Sequence, residues 1–178
     1  THVVLNKPFL TLCAWEPDVA KARRKGRSVR STLLDMELPA GMGLRNVGRL
    51  DRDSEGLLLF TSDGHLCHAL TAGGHVQKRY WALVRGHPSA AALEQMRQGG
   101  LHIRGANTRP ANIAVLPYPP TSVELPPHAP TATCDKSNST WLEVELCEGR
   151  NRQVRKVTQA AGHKTLRLVR DQRATALP

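Results

Sequence analysis

The alternation of apolar and polar residues along the chain first indicates where extended segments occur. Residues 140–146, TWLEVEL, place Leu142, Val144 and Leu146 on one face of an extended chain, which is the period of a half-buried strand. Other short apolar runs are bounded by glycine, proline or charged residues, as strands commonly are. The pattern predicts strands over residues 3–5, 47–50, 57–60, 78–84, 101–103, 111–116, 140–146 and 165–170.

A period near 3.6 residues predicts four short helices between these strands. Ser31 and Ser89 stand where an N-cap is expected, and Pro39, Gly99 and Gly162 follow predicted helix ends. The last helix keeps its apolar residues on one side and its basic residues on the rest of its surface. The predicted helices cover residues 31–38, 66–70, 89–97 and 152–161.

The composition changes after the predicted strand 111–116, because half of the twelve prolines fall between residues 117 and 130. Prolines at this density favour a loop. Residues 117–140 are therefore predicted to form a Pro-rich surface loop. The chain of 178 residues is long enough for a buried core, and we expect a single domain of two closely joined subdomains.

The charge balance is strongly basic, with 25 Lys and Arg against 15 Asp and Glu, a net charge of +10. Such an excess favours a polyanionic partner such as a nucleic acid. Aromatic residues make up only 4%, which argues against a platform that stacks many bases. Residues 21–30, KARRKGRSVR, hold six basic residues in ten, and we expect a mobile, solvated segment that contacts phosphates.

The cysteines and the apolar runs indicate the compartment. Cys13, Cys67, Cys134 and Cys147 are far apart and form no Cys-x-x-Cys pair, so we expect reduced thiols with neither a disulfide framework nor a zinc site. No run of about 18 apolar residues is present, and the chain does not open with a signal peptide. We therefore expect a cytoplasmic protein without a membrane segment.

Residues 46–64, NVGRLDRDSEGLLLFTSDG, concentrate the candidate chemistry, because the polar loop Asp51–Gly56 lies between predicted buried strands. Asp51, Asp53 and Glu55 copy the first half of a calcium loop. The twelfth position of that loop, which should be a bidentate Glu, is Ser62. Calcium is therefore disfavoured, and a second interpretation is that the carboxylates only solvate a turn.

Four motifs together resemble one family. Gly48-Arg49-Leu50-Asp51, followed by Ser54, Gly56-Leu57-Leu58 and Thr61-x-Asp63-Gly64, resembles the signature of RNA pseudouridine synthases of the ribosomal small-subunit type, in particular the short enzymes that act on large-subunit rRNA. The family's second and third motifs resemble Lys78-x-Tyr80 and the segment 149–155, GRNRQVR, and its closing Leu-x-Arg motif resembles residues 165–170.

The resemblance implies a role for each matching residue. Asp51 would be the essential carboxylate, Arg155 the guanidinium that pairs with it, and Tyr80 the ring that stacks on a flipped uracil. Leu168 would pack beside that base, and Arg49 would fill the position that the base leaves. The remaining matching positions would hold the RNA: Lys78, Arg150, Arg152, Lys156 and Arg170.

The resemblance also implies a fold and a reaction. The expected fold is the α+β pseudouridine synthase fold, a mixed, mostly antiparallel sheet with flanking helices and a central catalytic cleft. The expected protein is a monomeric catalytic domain over residues 1–178 without an N-terminal S4-like RNA-binding domain. It would isomerise one uridine of ribosomal RNA, 23S rRNA being expected, with no metal and no cofactor. A tRNA substrate stays open.

Two other classes of protein fit part of the sequence. A non-catalytic RNA-binding protein, such as a ribosome-assembly factor, explains the charge, but it does not explain why Asp51, Tyr80, Arg155 and Leu168 all fall on motif positions. A metal-dependent nuclease would need a second set of acidic residues beside the single acidic loop. For a synthase, the carboxylate could attack C1′ or remove the 2′ hydrogen, and the sequence leaves both roles open.

Overall fold

The computed structural model describes residues 1–72, 76–120 and 136–171. The chain divides into two compact units, Thr1–Ala72 and Gly73–Pro178. No helix in the described part of the chain is long and apolar enough to cross a membrane.

The first unit is built on three antiparallel strands, β1 (His2–Lys7), β2 (Arg45–Asn46) and β3 (Glu55–Thr61). Strand β3 pairs with both others, so Leu58 faces Leu5 of β1 and Phe60 faces Asn46 of β2. Leu58 and Phe60 are fully buried. The apolar run that predicted a buried strand here is therefore the centre of the sheet of this unit.

Two short helices accompany these strands, α1 (Val19–Arg24) and α2 (Gly64–Thr71). Helix α2 begins two residues before the predicted helix 66–70, because the Asp63 side chain accepts hydrogen bonds from the amides of His65 and Leu66. The helix predicted over residues 31–38 is only one 3₁₀ turn, Leu33–Asp35. Its cap is Thr32 rather than Ser31, in a capping box with Asp35.

The prediction of a mobile basic arm over residues 21–30 is wrong. Part of it forms α1, and the buried Asp18 carboxylate holds the rest by accepting hydrogen bonds from the guanidinium groups of Arg27 and Arg30. These hydrogen bonds hold the pKa of Asp18 well below its usual range. One buried acid therefore gives this segment a fixed course that a count of basic residues does not indicate.

The second unit contains a four-stranded sheet in the order β9-β4-β8-β7, with antiparallel pairs throughout. Its strands are β4 (Lys78–Arg85), β7 (Asn112–Leu116), β8 (Ser139–Leu146) and β9 (Thr165–Arg170). A separate small hairpin pairs β5 (His102–Ile103) with β6 (Ala106–Asn107). The sequence pattern did not predict β6.

The helices α3 (Ala90–Gln98) and α4 (Gln153–Ala160) pack on this sheet and complete the core of the second unit. Met96 of α3 and Val154 of α4 join the buried face of β8, which presents Leu142, Val144 and Leu146. The predicted strand 140–146 and the predicted Ser89 cap of α3 are both confirmed.

The fold class predicted from the sequence is confirmed as α+β, with antiparallel strand pairs in each unit and helices against the strands. The predicted central cleft stays a prediction. The predicted Pro-rich loop over residues 117–140 falls largely on residues 121–135, which lie outside the described residues.

Candidate active site

Asp51 lies on a short turn that is anchored at both ends. Before it, the buried Leu50 donates its amide to the Cys13 thiol at 3.4 Å. After it, the buried Ser54 donates its amide to the carbonyl of Asp51 at 3.1 Å. The Asp51 carboxylate is half-buried. The turn therefore presents this acid from fixed backbone, which is what a reacting group requires.

The residues before Asp51 differ from the strand that the sequence predicted over 47–50. Val47 and Leu50 are buried as expected, but the strand ends at Asn46 and the chain bends. Gly48 has a φ of +72°, and the Asn46 side-chain amide donates to its carbonyl at 2.6 Å. Arg49 is exposed beyond this bend, so it does not lie on the strand that the sequence predicted over residues 47–50.

Lys7 is a site residue that the sequence analysis did not single out. Its side chain is 0% exposed, and its ammonium donates to the carbonyls of Pro8 at 2.7 Å and Thr11 at 2.9 Å. Burial lowers the pKa of Lys7 from 10.5 to about 8, while Cys13 and then the loop carboxylates Glu55, Asp53 and Asp51 oppose that shift. A buried cation therefore lies near the carboxylates of the Asp51 turn.

Tyr80 lies on β4 in the second unit, where the motif placed it. The ring is half-buried, and its register partner on β9 is Arg170. The guanidinium carbon of Arg170 lies 6.0 Å from the centroid of the Tyr80 ring, within cation–π range. The structure thus brings together two of the predicted site residues.

Leu168 lies within β9, and Arg155 contacts the first residue of that strand. Leu168 is the register partner of Ala82, and with 5% exposure it belongs to the core of the second unit. Arg155 is half-buried on α4 and donates to the carbonyl of Thr165 at 3.3 Å. The contact of Leu168 with a base and the pairing of Arg155 with Asp51 stay predictions.

The loop between β8 and α4 presents Arg150 and Arg152, and Glu148 holds it in place. The Glu148 carboxylate accepts from Arg150 Nε at 3.0 Å, from Gln153 Nε2 at 2.6 Å and from the backbone amide of Arg109 at 2.7 Å. Arg152 follows with a φ of +52°, a left-handed conformation that is uncommon outside glycine. Buried Gln153 closes the loop by accepting from the Arg150 amide.

The other predicted RNA-binding positions have different surroundings. Lys78 is half-buried at the start of β4, and its pKa is lowered by burial first and then by the charge of Arg170. Lys156 is half-buried on α4, whereas Arg152 is exposed at the start of that helix. Within residues 1–72, 76–120 and 136–171, no group of three His, Cys, Asp or Glu could hold a metal ion.

The sequence carried only weak signals for Lys7 and Glu148. Lys7 ends a strand directly before a proline, which is also the pattern of an ordinary strand end. Glu148 precedes the third motif, but its three partners come from residues 109, 150 and 153 and are visible only in the fold.

Comparison with known proteins agrees with this arrangement of motifs. A family model described as RNA pseudouridylate synthase matches residues 1–160. The chain therefore belongs to the RNA pseudouridylate synthases, a family that isomerises uridine to pseudouridine in RNA. The family and the enzyme class predicted from the sequence are both confirmed.

Particular relatives narrow the comparison. The protein called ribosomal large subunit pseudouridine synthase E of Xanthomonas campestris pv. campestris is 42% identical over 170 residues, covering 94% of this chain and 84% of the relative. A protein of the same name from Vibrio vulnificus is 37% identical over 169 residues, covering 94% of this chain and 66% of the relative. A solved pseudouridylate synthase is similar with a TM-score of 0.68 and 25% identity, covering 95% of this chain and 60% of that one.

Proposed function

We propose that this protein converts one uridine of large-subunit ribosomal RNA to pseudouridine, with Asp51 as the reacting carboxylate. The observation that carries the proposal is the half-buried Asp51 on its anchored turn, at the motif position of a chain that belongs to this family. The choice of large-subunit RNA rests on the relatives in Xanthomonas campestris and Vibrio vulnificus that bear that name. A monomeric state and a cytoplasmic location stay predictions.

The reaction breaks the N1–C1′ bond, turns the uracil while it stays bound, and joins C5 to C1′. Asp51 would either attack C1′ or take the 2′ hydrogen, and both roles need an ionised carboxylate beside the ribose. Desolvation by bound RNA penalises that charge, and a guanidinium opposes the penalty, which is the proposed role of Arg155.

The target base must leave its stack before a side chain can reach it, at a cost of a few kcal/mol. Tyr80 would receive the extruded uracil on its ring, and Leu168 would line its edge. Arg49 is exposed next to the Asp51 turn, which suits a side chain that fills the vacated stack.

Exposed basic residues would hold the RNA backbone. Helix α1 and the residue after it present four such side chains, whereas Arg27 and Arg30 of the same segment are bound to Asp18. In the second unit, the loop before α4 and the helix itself supply three more basic residues, of which Arg152 is exposed, Lys156 is half-buried, and Arg150 is half-buried and paired with Glu148. The proposed backbone contacts are Lys21, Arg23, Arg24, Lys25, Arg150, Arg152 and Lys156.

The direct test uses ribosomal RNA from a strain that lacks this protein. After incubation with the enzyme, new pseudouridines are mapped by the carbodiimide adducts that resist alkali. Wild type should create one new site, and Asp51→Asn should create none while it still binds the RNA. Glu37→Gln, an exposed carboxylate of the same unit, is the matched control and should act like wild type. Normal modification by Asp51→Asn would exclude Asp51 as the reacting group.

A second measurement examines Arg155. Arg155→Ala should reduce the single-turnover rate of pseudouridine formation more than it reduces RNA affinity, because the guanidinium would act on the reacting carboxylate. An equal fall in both would make Arg155 a phosphate contact. If wild type binds ribosomal RNA but forms no pseudouridine, the protein is a passive RNA binder that keeps the synthase fold.

A further inference from the structure

Two cationic side chains of the second unit converge beside the Tyr80 ring. Lys78 lies two residues before Tyr80 on β4, so both side chains leave the same face of the strand. Arg170, on the neighbouring strand β9, is the register partner of Tyr80 and lies over its ring. The strand pairing therefore places one cation before the aromatic ring and another across from it.

Lys78 lies beside the loop that follows β8. Its Nζ lies 3.8 Å from the position that a Cβ atom on Gly149 would take, so the ammonium lies close to the backbone of this loop. Burial and the charge of Arg170 both lower the pKa of Lys78, while Cys147 and Glu148 oppose the shift. Lys78 thus carries its charge in a partly desolvated position near a like charge.

The carboxylate whose charge acts on Lys78 is Glu148, and it is already engaged. Glu148 accepts hydrogen bonds from Arg150, Gln153 and the backbone of Arg109. Neither Lys78 nor Arg170 forms an ion pair with a carboxylate within the described ranges 1–72, 76–120 and 136–171. The repulsion between these two like charges raises the free energy of the protein without RNA. A bound anion would lower that free energy.

We propose that Lys78 and Arg170 form a phosphate clamp, which binds a phosphodiester of the RNA next to the nucleotide whose base reaches Tyr80. A guanidinium offers a planar pair of donors and an ammonium a mobile point charge, and both groups bind phosphate oxygens. The clamp rests on the proposed function, because that function places a base on the Tyr80 ring. The phosphate that belongs to such a nucleotide is then the anion beside the two cations. The clamp fixes the register of the RNA at the reacting base, in addition to the general attraction of the basic surface.

The variants Lys78→Met and Arg170→Met test the clamp, with Arg85→Met as the matched control. Arg85 is an exposed cation at the opposite end of β4. The logarithm of RNA affinity is measured against the logarithm of salt concentration. Each clamp variant should reduce the magnitude of the slope by about 0.7–1, as expected for one lost phosphate contact. Arg85→Met should leave the slope unchanged.

Stability separates the clamp from a structural role. Loss of a like charge should leave the urea midpoint of Lys78→Met equal to that of wild type or raise it, whereas loss of a structural contact would lower it. A slope that stays at the wild-type value in both clamp variants, or a lowered midpoint in Lys78→Met, would overturn the clamp.

The RNA side of the contact is tested with a short RNA around the mapped uridine, in which single linkages are replaced by uncharged methylphosphonates. Replacing one linkage next to the target uridine should reduce the RNA affinity of wild type as much as Lys78→Met does. Combining that replacement with Lys78→Met should reduce the affinity no further. If no linkage behaves in this way while wild type forms pseudouridine, the clamp fails and the proposed function stands. If wild type forms none, both fail.

Discussion

Lys7 allows a quantitative test of the electrostatics of the Asp51 turn. The fully buried ammonium donates to two carbonyls, and burial lowers its pKa to about 8. An unfolded chain would keep the ordinary value near 10.5. The perturbation is Lys7→Met, which keeps the length and apolar character of the side chain and removes the titrating group.

The pH dependence follows from the two pKa values. Below about pH 8 Lys7 is protonated in both states, and the lowered folded-state pKa corresponds to roughly 3 kcal/mol of lost stability. Between pH 8 and 10.5 the folded protein releases the proton before the unfolded chain does, so stability is regained as pH rises. The neutral amine keeps two N–H donors, and both hydrogen bonds can persist. From pH 7 to 10 the gain due to Lys7 is roughly 2 kcal/mol.

The measurement is the free energy of unfolding in urea, followed by tryptophan fluorescence at several pH values from 7 to 10. Other groups titrate in this range, so the quantity of interest is the difference between wild type and Lys7→Met. At pH 7, Lys7→Met loses two hydrogen bonds, which destabilises the variant, and it also loses a buried charge, which stabilises it. As pH rises from 7 to 10, the free energy of unfolding of wild type should increase relative to that of Lys7→Met by roughly 2 kcal/mol. Lys25→Met, at an exposed lysine, should follow wild type.

Parallel stability profiles for wild type and Lys7→Met would refute this reasoning. They would mean that Lys7 has nearly the same pKa in the folded and unfolded states. The ammonium would then be solvated in solution, and its proximity to the loop carboxylates would have no energetic consequence.

Three further changes test other parts of the structure. Asp18→Asn should lower the urea midpoint at neutral pH; wild type should lose this contribution as pH falls below about 4, where the unfolded chain takes up the proton. Glu148→Gln should cost roughly 1–3 kcal/mol in urea, because the amide cannot accept all three hydrogen bonds. Gly99→Ala should destabilise more than Gly100→Ala: both glycines have positive φ, but only at Gly99 would a Cβ lie 2.6 Å from the Arg109 backbone. Equal losses at the two glycines would argue against that close contact.

Elements that rest on periodic burial were predictable from the sequence. Residues 140–146 alternate because only one face of β8 meets the core, and the structure buries the same three side chains. Ser89 caps α3 because its hydroxyl accepts a hydrogen bond from the amide three residues later. Both partners of this interaction are close in the sequence, so the cap can be predicted without the fold. The motif positions of the family were predictable for a different reason, since the resemblance supplied them.

Features that depend on distant partners were not predictable. Lys7 reads as a strand-end lysine, and only the fold shows that its ammonium is enclosed. The basic segment 21–30 reads as a solvated arm because a pattern of charges does not show that Asp18 is buried beneath it. In both cases one long-range polar interaction overrides the local preference, and such interactions leave no periodic signal.

The same interactions change how the net charge of +10 relates to RNA binding. Several arginines are bound to carboxylates, as Arg79 is to Glu145 and Arg27 to Asp18, so their charges are largely neutralised within the protein. Cations that have no such partner among the described residues, Lys78 and Arg170 included, contribute more to the field that a phosphate meets. We therefore expect the RNA to meet mainly those described cations that the fold leaves without a carboxylate, and not every basic residue of the densest segment.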